Sequence, residues 1–268
     1  MKAYDVCMTI AGSDPSGGAG VQADLKTFTL LGCYGQAAVT ALTVQNTQGV
    51  KKSVAVDEAL VFEQIEVVMS DWLPQAVKIG MVPNAAVARG IARALRSYRP
   101  RFVVYDPVMV STSGLRLMLP ETLEAVRTEL LPCCTLLTPN LPEARVLAGN
   151  EHAEAEVLAR RLCNELQLPA ILVKGGHRSG EPVDVLYDGN LYAYTAPRID
   201  TPNAHGTGCV LSSAIAAFVA KGQPLQQAVG SAKQFLTSAL QRGRNYTTGK
   251  GSNGPLYLLP CPPGGSSQ

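Results

Sequence analysis

Five short runs of apolar, largely β-branched residues recur along the chain, and stretches with helical spacing fill the gaps between most of them. The runs are YDVCMTI (4–10), AVKIGM (76–81), FVVYD (102–106), TLLTPN (135–140) and AILVKGG (170–176). A strand with one wet face alternates polar and apolar residues. These runs are nearly continuous instead, so both faces are covered, as in a parallel sheet clad by helices. The helical stretches are Ala19–Leu31, Val61–Ser70, Asn84–Tyr98, Pro120–Leu131, Leu141–Leu147 and Ala153–Leu166. Crossovers between parallel strands are almost always right-handed, which stacks these helices on both sides of one twisted sheet. An α/β fold is the expectation.

Two segments break the alternation. QAAVTALTVQNTQGVKKSVAVD (36–57) reads as a strand pair joined near Thr47–Gly49, an excursion from the main sheet that could cover a pocket. DVLYDGNLYAYTA (184–196) reads as a hairpin turning at Asp188, Gly189 and Asn190. Two further helices follow, Gly208–Ala220 and Leu225–Arg242. A length of 268 residues with 46% apolar content suits one large domain over 1–260, with CPPGGSSQ (261–268) as a flexible tail.

Several partners are disfavoured at once. The net charge is +2 with both signs dispersed, so no basic stripe offers itself to nucleic acid or an acidic membrane. The longest apolar run, Gly208 to Ala220, is too short to span a bilayer. The start MKAYDVCMTIAG runs straight into a strand-like pattern and lacks a small-residue cleavage site, so no signal peptide is expected. The seven cysteines (Cys7, Cys33, Cys133, Cys134, Cys163, Cys209 and Cys261) form no CxxC pair. Zinc therefore has little support, and most are expected to be buried, reduced thiols of a cytoplasmic protein.

The stretch NAHGTGCVLSSAIAAF (203–218) carries more chemistry. Gly206, Thr207 and Gly208 lead into Cys209 at the start of an apolar helix. First-turn N–H groups point outward and the helix dipole adds partial positive charge there. Glycines let an anion approach that backbone closely, and a cysteine at such a place would have its thiol pKa lowered. A glycine-loosened turn before a buried helix, with Cys209 as packing, fits the local pattern too. AGSDPSGGAGVQADLKTF (11–28) is also glycine-rich and opens a helix, but it has neither a P-loop ending nor GxGxxG in register. Asp24 within it reads locally as a solvated helix-surface carboxylate.

Taken together, TIAGSDPSGGAGVQADLKTF (9–28), ALTVQNTQGV (41–50), VKIGM (77–81), DPVMVSTSG (106–114), LLTPNLPEA (136–144), LVKGGH (172–177) and HGTGCVLSSAIAA (205–217) occur in order. This series resembles the hydroxymethylpyrimidine/phosphomethylpyrimidine kinases of thiamin biosynthesis, in the ribokinase-like superfamily, over roughly residues 4–257. The resemblance implies a three-layer α/β/α fold with a central mostly parallel sheet and a small β lid. It also implies ATP-dependent phosphorylation of 4-amino-5-hydroxymethyl-2-methylpyrimidine, then of the monophosphate. ATP and Mg²⁺ are the implied cofactors, and a homodimer the implied assembly.

The same resemblance assigns roles. Gly206, Thr207, Gly208 and Cys209 would form the anion hole, with Cys209 in the slot where most ribokinase-like kinases carry an aspartate base. Gly12, Ala19, Asp24, Gln45, Met81 and Val108 would surround the pyrimidine, whose donor and acceptor edge suits a carboxamide such as Gln45. Asp106, Asn140 and Lys174 would hold ATP, and the NxxE pair Asn140 and Glu143 would order Mg²⁺ and its waters, although Asn140 also fits as an N-cap. His152, His177 and His205 receive no catalytic role. The ending GKGSNGPLY (249–257) follows the family's glycine-rich pattern only loosely, which puts its part in the nucleotide site in doubt.

Three other readings compete. A pyridoxal or pyridoxine kinase of the same branch, or a bifunctional one, is the nearest. A Rossmann-type oxidoreductase lacks the acidic residue that its second strand requires. A non-catalytic sensor would not need Cys209, Lys174 and the NxxE pair together.

Overall fold

The computed structural model describes residues 3–110, 118–176 and 180–260. Residues 111–114 of the fourth motif, His177, Cys261 and the 261–268 tail lie outside them. In chain order the elements are β1 (Val6–Ser13), α1 (Gly20–Leu30), β2 (Tyr34–Asn46), β3 (Gly49–Ala55), α2 (Glu58–Asp71), β4 (Ala76–Ile79), α3 (Ala85–Tyr98) and β5 (Phe102–Tyr105). Then follow α4 (Pro120–Ala125), β6 (Leu136–Leu137), α5 (Leu141–Ala148), α6 (Ala155–Glu165), β7 (Ala170–Val173), β8 (Val183–Tyr187), β9 (Leu191–Thr195), α7 (Thr207–Ala220) and α8 (Leu225–Gly243).

The strands form one sheet in the order β3-β2-β1-β4-β5-β6-β7-β8-β9. β2, β1, β4, β5, β6 and β7 run parallel, while β3 on one edge and the β8–β9 hairpin on the other are antiparallel. The continuous apolar runs resolve into two faces. Met8, Ile10, Val77, Ile79, Val103, Tyr105, Leu137, Ile171 and Val173 belong to one core cluster. The intervening Cys7, Ala76, Phe102, Val104, Leu136, Ala170 and Leu172 belong to the other. The first cluster takes its helical partners from α2 through α6, the second from α1, α7 and α8. Period-two side-chain direction thus converts each apolar run into two buried surfaces. Each large apolar side chain withdrawn from water contributes about 1.5–3 kcal/mol.

Three expected elements differ. The 36–57 pair is not wholly an excursion, because Tyr34–Leu42 of β2 pairs in parallel with β1 inside the main sheet. Only the end of β2, from Ala41 to Asn46, pairs with β3. The 135–140 strand shortens to Leu136–Leu137, since Pro139 has no N–H to offer the ladder and Asn140 already caps α5. The 120–131 helix ends at Ala125 and continues as a wider turn over Val126–Leu130, then a tighter one over Leu131–Cys133. Pro132 lies just beyond, and its ring would collide with the carbonyl four residues back in a regular helix.

The topology also places a crevice. From β1 the chain crosses to β2 on one side and later returns to β4 on the other. At such a switch point the carboxyl ends of the two strands diverge and leave room for a ligand. Cys7, Cys33, Cys134 and Cys163 are buried free thiols, as expected. Among the described residues no helix is long and apolar enough to cross a membrane.

Candidate active site

A cavity of about 1200 Å³ opens at this switch point. Its walls come from the end of β1, the tip of the β2–β3 pair, the ends of β4, β5 and β7, and the start of α7.

Gly206 caps α7 at φ 89° and ψ 8°, and a Cβ on it would lie 1.9 Å from the Gly18 carbonyl oxygen. Only glycine meets both conditions. No side chain caps this helix, and Gly206, Thr207, Gly208 and Cys209 line the cavity, so the positive end of its dipole borders the cavity. At Gly208 a Cβ would lie 3.2 Å from both Asp106 Oδ2 and Lys174 Nζ. The helix entrance therefore abuts an acid–base pair. Lys174, after β7, donates to Asp106, after β5. Burial pulls the Lys174 ammonium down, but Asp106 and Glu143 outweigh it and hold its pKa above the ordinary value. The strand end is braced from behind: Gly175 N–H donates to Asp184 at 2.8 Å, and Asp184 accepts from Lys233 at 2.6 Å.

Asn140 and Glu143 form a reciprocal capping box on α5. Asn140 Oδ1 accepts from Glu143 N–H and Glu143 Oε2 accepts from Asn140 N–H, each at 2.8 Å. Burial is the largest influence on Glu143 and pushes its carboxyl up to about 7, with Lys174 pulling down and Asp106 pushing up. Among the described residues no group of three or more His, Cys, Asp or Glu side chains converges as a metal cluster. Two carboxylates lining one wall suit a cation that retains most of its water.

Gly12, Ala19, Gln45, Met81 and Val108 line the same cavity. A Cβ on Gly12 would sit 3.1 Å from Met81 Sδ, so the bare backbone gives the thioether its place. Thr40 Oγ1 donates to the Met81 carbonyl at 2.7 Å and fixes that strand end.

Asp24 departs from the expected set. It is fully buried, does not line the cavity and is not the solvated residue its helix position suggested. Its carboxylate accepts from Thr9 Oγ1 at 2.6 Å, Lys78 Nζ at 2.9 and 2.8 Å, and Ser213 Oγ at 2.7 Å. A buried carboxylate survives only when paired and hydrogen-bonded, and this one staples α1 to β1, β4 and α7.

Cys209 corrects a second expectation. Its thiol pKa is raised, not lowered. Burial is the largest cause. The Lys78 ammonium pulls the other way, and Asp24 and Asp106 push up against that pull and the Gly20 N–H. In the free protein the thiol form dominates at neutral pH.

Three cavity residues escaped the sequence reading. Asp14 accepts from Ser16 N–H and Oγ and from Ala19 N–H, at 2.9, 2.7 and 2.9 Å. The Asp-Pro-Ser-Gly spelling of this turn was a usable signal. Lys78 is wholly buried in β4, and a lysine inside an apolar strand calls for a carboxylate. His205 packs where a Cβ on Gly18 would reach within 2.5 Å of its ring, a contact that no sequence period announces. The ending at 249–257 also reaches the site. Gly251 N–H donates to Thr47 Oγ1 at 3.1 Å, His205 N–H to the Gly254 carbonyl at 2.9 Å, and Ser252 and Asn253 line the cavity.

A mostly parallel sheet with its cavity between an uncapped helix entrance and a buried lysine defines the class, a kinase of the ribokinase-like fold. A family model described as phosphomethylpyrimidine kinase matches residues 14–256, and the chain belongs to that family. It is 46% identical over 257 residues to the hydroxymethylpyrimidine/phosphomethylpyrimidine kinase of Rhizobium meliloti, covering 94% of this chain and 96% of that one. The crystal structure of phosphomethylpyrimidine kinase from Clostridium difficile superposes with a TM-score of 0.78 at 40% identity, covering 88% of this chain and 99% of that one. Pyridoxal kinase from Staphylococcus aureus in complex with AMP-PCP and pyridoxal gives 0.86 at 31% identity, covering 96% and 94%.

Proposed function

We propose that this chain transfers the γ-phosphoryl group of ATP to the hydroxymethyl oxygen of 4-amino-5-hydroxymethyl-2-methylpyrimidine, and then a second phosphoryl group to the resulting monophosphate, as thiamin biosynthesis requires. One observation carries the reading: the Gly206–Cys209 entrance of α7, abutting Lys174 and Asp106 at Gly208, lines one cavity with Gln45, Met81 and Val108 and with Asn140 and Glu143. An acceptor alcohol beside Gln45 and a triphosphate beside Lys174 would meet at the helix entrance.

In the first step the alcohol oxygen forms a bond to the γ-phosphorus, the bond to the bridging oxygen breaks, and ADP leaves. Negative charge spreads over the transferring phosphoryl oxygens, where the Gly206–Cys209 amides and the Lys174 ammonium stabilise it. The alcohol proton passes to Cys209 as thiolate. That thiolate is a minor species in the free protein, but a loose transition state releases the proton late and tolerates a scarce base. The second acceptor is already a phosphate and needs no such base. Asp106 and Glu143, through waters ordered with Asn140, would hold Mg²⁺, which when bound neutralises phosphate charge. Asp24 serves this reading indirectly, by fixing the elements that carry Thr9, Lys78 and Ser213.

A cytoplasmic homodimer completes the reading. On the β2–β3 pair the face bearing Thr43 and Gln45 turns to the cavity, while Leu42, Val44 and Val54 are about half exposed on the other face. Leu42 sits directly across from Val54, and an outward apolar row of this kind supports burial against a second copy.

The second reading, a pyridoxal kinase, draws on the structural match to the Staphylococcus aureus enzyme. ³¹P NMR of products formed from the pyrimidine alcohol and Mg-ATP separates the two. A monophosphate signal followed by a coupled diphosphate pair is expected. Turnover of pyridoxal with no diphosphate from the pyrimidine would overturn the primary reading.

A further inference from the structure

Asp14, His205 and Gln45 come from the turn after β1, the approach to α7 and the lid end of β2, and they meet at one imidazole nitrogen. His205 Nε2 lies 2.9 Å from Asp14 Oδ2 and 3.2 Å from the Gln45 carboxamide. The site is built to hold the ring there. A Cβ on Gly18 would strike it, and the His205 backbone is tied to Gly254.

Asp14 settles where the proton sits. Burial opposes its ionisation, but hydrogen bonds from His205 and Ser16 hold the carboxyl below its usual range. A carboxylate only accepts, so the hydrogen on Nε2 points at Asp14 in either the neutral Nε2–H tautomer or the imidazolium. That nitrogen has no lone pair left for a Gln45 N–H. Hydrogen bonding decides which end of a carboxamide faces which neighbour: an amide N–H at the 3.2 Å position would meet no acceptor on that nitrogen, whereas the carbonyl oxygen placed there shares the one Nε2–H with Asp14 in a three-centre bond. The other end agrees. Thr43 Oγ1 donates its one hydrogen to the Ser13 carbonyl at 2.8 Å and approaches the carboxamide at 3.3 Å, so its lone pair faces the amide nitrogen. One amide N–H engages Thr43, and the second is left for the cavity.

We propose that Asp14 and His205 are a positioning pair that locks the Gln45 carboxamide with an N–H toward the substrate, so that the pocket selects a ring presenting an acceptor nitrogen. This rests on the reading of Gln45 as a pyrimidine contact. Asp14 and His205 act through Gln45 and need not touch the ligand.

The test is a double-mutant cycle on KM for the pyrimidine alcohol. Gln45→Ala and His205→Phe are each expected to raise that KM roughly ten-fold, the worth of one hydrogen bond, while KM for ATP moves far less. In the Gln45→Ala background His205→Phe is expected to add almost nothing. The preference for the alcohol over analogues with a ring nitrogen replaced by CH should shrink equally in both single variants. Asp14→Asn, which removes the charge but keeps an acceptor, serves as the second variant should His205→Phe fail to fold. If Gln45→Ala raises KM while His205→Phe and Asp14→Asn leave it alone, or if the effects simply add, the positioning pair is refuted and the reading of Gln45 stands. If Gln45→Ala itself leaves KM unchanged, the reading of Gln45 fails and takes the pair with it.

Discussion

Lys78–Asp24 and Lys174–Asp106 are both buried ion pairs at the sheet, the first tying β4 to α1 and the second joining the ends of β7 and β5, and they have opposite fates. Asp24 receives hydrogen bonds from Lys78, Thr9 and Ser213, and neither member of that pair has any exposed side-chain surface. Lys174 keeps 13% of its side chain exposed, and Asp106 faces the Gly208 backbone at the cavity. The first pair is saturated by its own protein. The second has room for one more charged partner, and the helix entrance beside it provides the place. Saturation, more than burial or residue type, separates a charge that builds the fold from one available for chemistry.

Lys78→Ala should give the largest effect, because it strands Asp24 as an uncompensated buried charge. Urea denaturation is expected to show a loss of about 3–5 kcal/mol. Lys174→Ala should invert that pattern: Asp106 also loses its partner, but it lines the cavity and the shortened side chain lets water reach it, so a smaller stability loss is expected beside a fall in kcat of roughly 10²–10³. The contrast breaks if Lys174→Ala unfolds the protein as readily as Lys78→Ala does.

Cys209→Ala comes next. It is expected to slow the first phosphorylation about 10²-fold, at the low end for a general base, and the second far less. The pH profile sharpens this. A base must be deprotonated, and this thiol titrates above its ordinary value of 9.0. The first-step rate should therefore climb with pH through neutrality and still be climbing at pH 9, a rise that Cys209→Ala abolishes. A rate flat above pH 7 would remove Cys209 as the base.

The smallest effect compares two caps. Asn84 caps α3 and Asn140 caps α5, so replacing either with Ala should cost about 1 kcal/mol of stability. Only Asn140→Ala should also weaken the Mg²⁺ dependence of turnover, measured by metal titration. Equal kinetics in the two variants would reduce Asn140 to a cap.

What could be read from residues alone follows the range of the forces involved. The strand runs announced themselves because both faces of a parallel strand are apolar. The Gly206–Cys209 entrance was legible because its chemistry is local. Asp24 was not, since its partners Lys78 and Ser213 are 54 and 189 positions away. The same distance hid the sign of the Cys209 shift, because a helix start lowers a thiol locally while burial and the Asp24 and Asp106 carboxylates raise it. Pro132 marked the break in the helix after Ala125, although the apolar period ran through it.

The seam between the ending and the β2–β3 tip has a practical consequence. A Cβ on Gly251 would sit 1.7 Å from the Thr47 carbonyl oxygen, and one on Gly249 2.3 Å from the Thr47 hydroxyl. These two glycines work like the pin of a clasp that admits no added thickness. Loop grafts or labels placed between 248 and 254 would spring that clasp and loosen the rim above Gln45, so attempts to re-engineer substrate range are better anchored elsewhere.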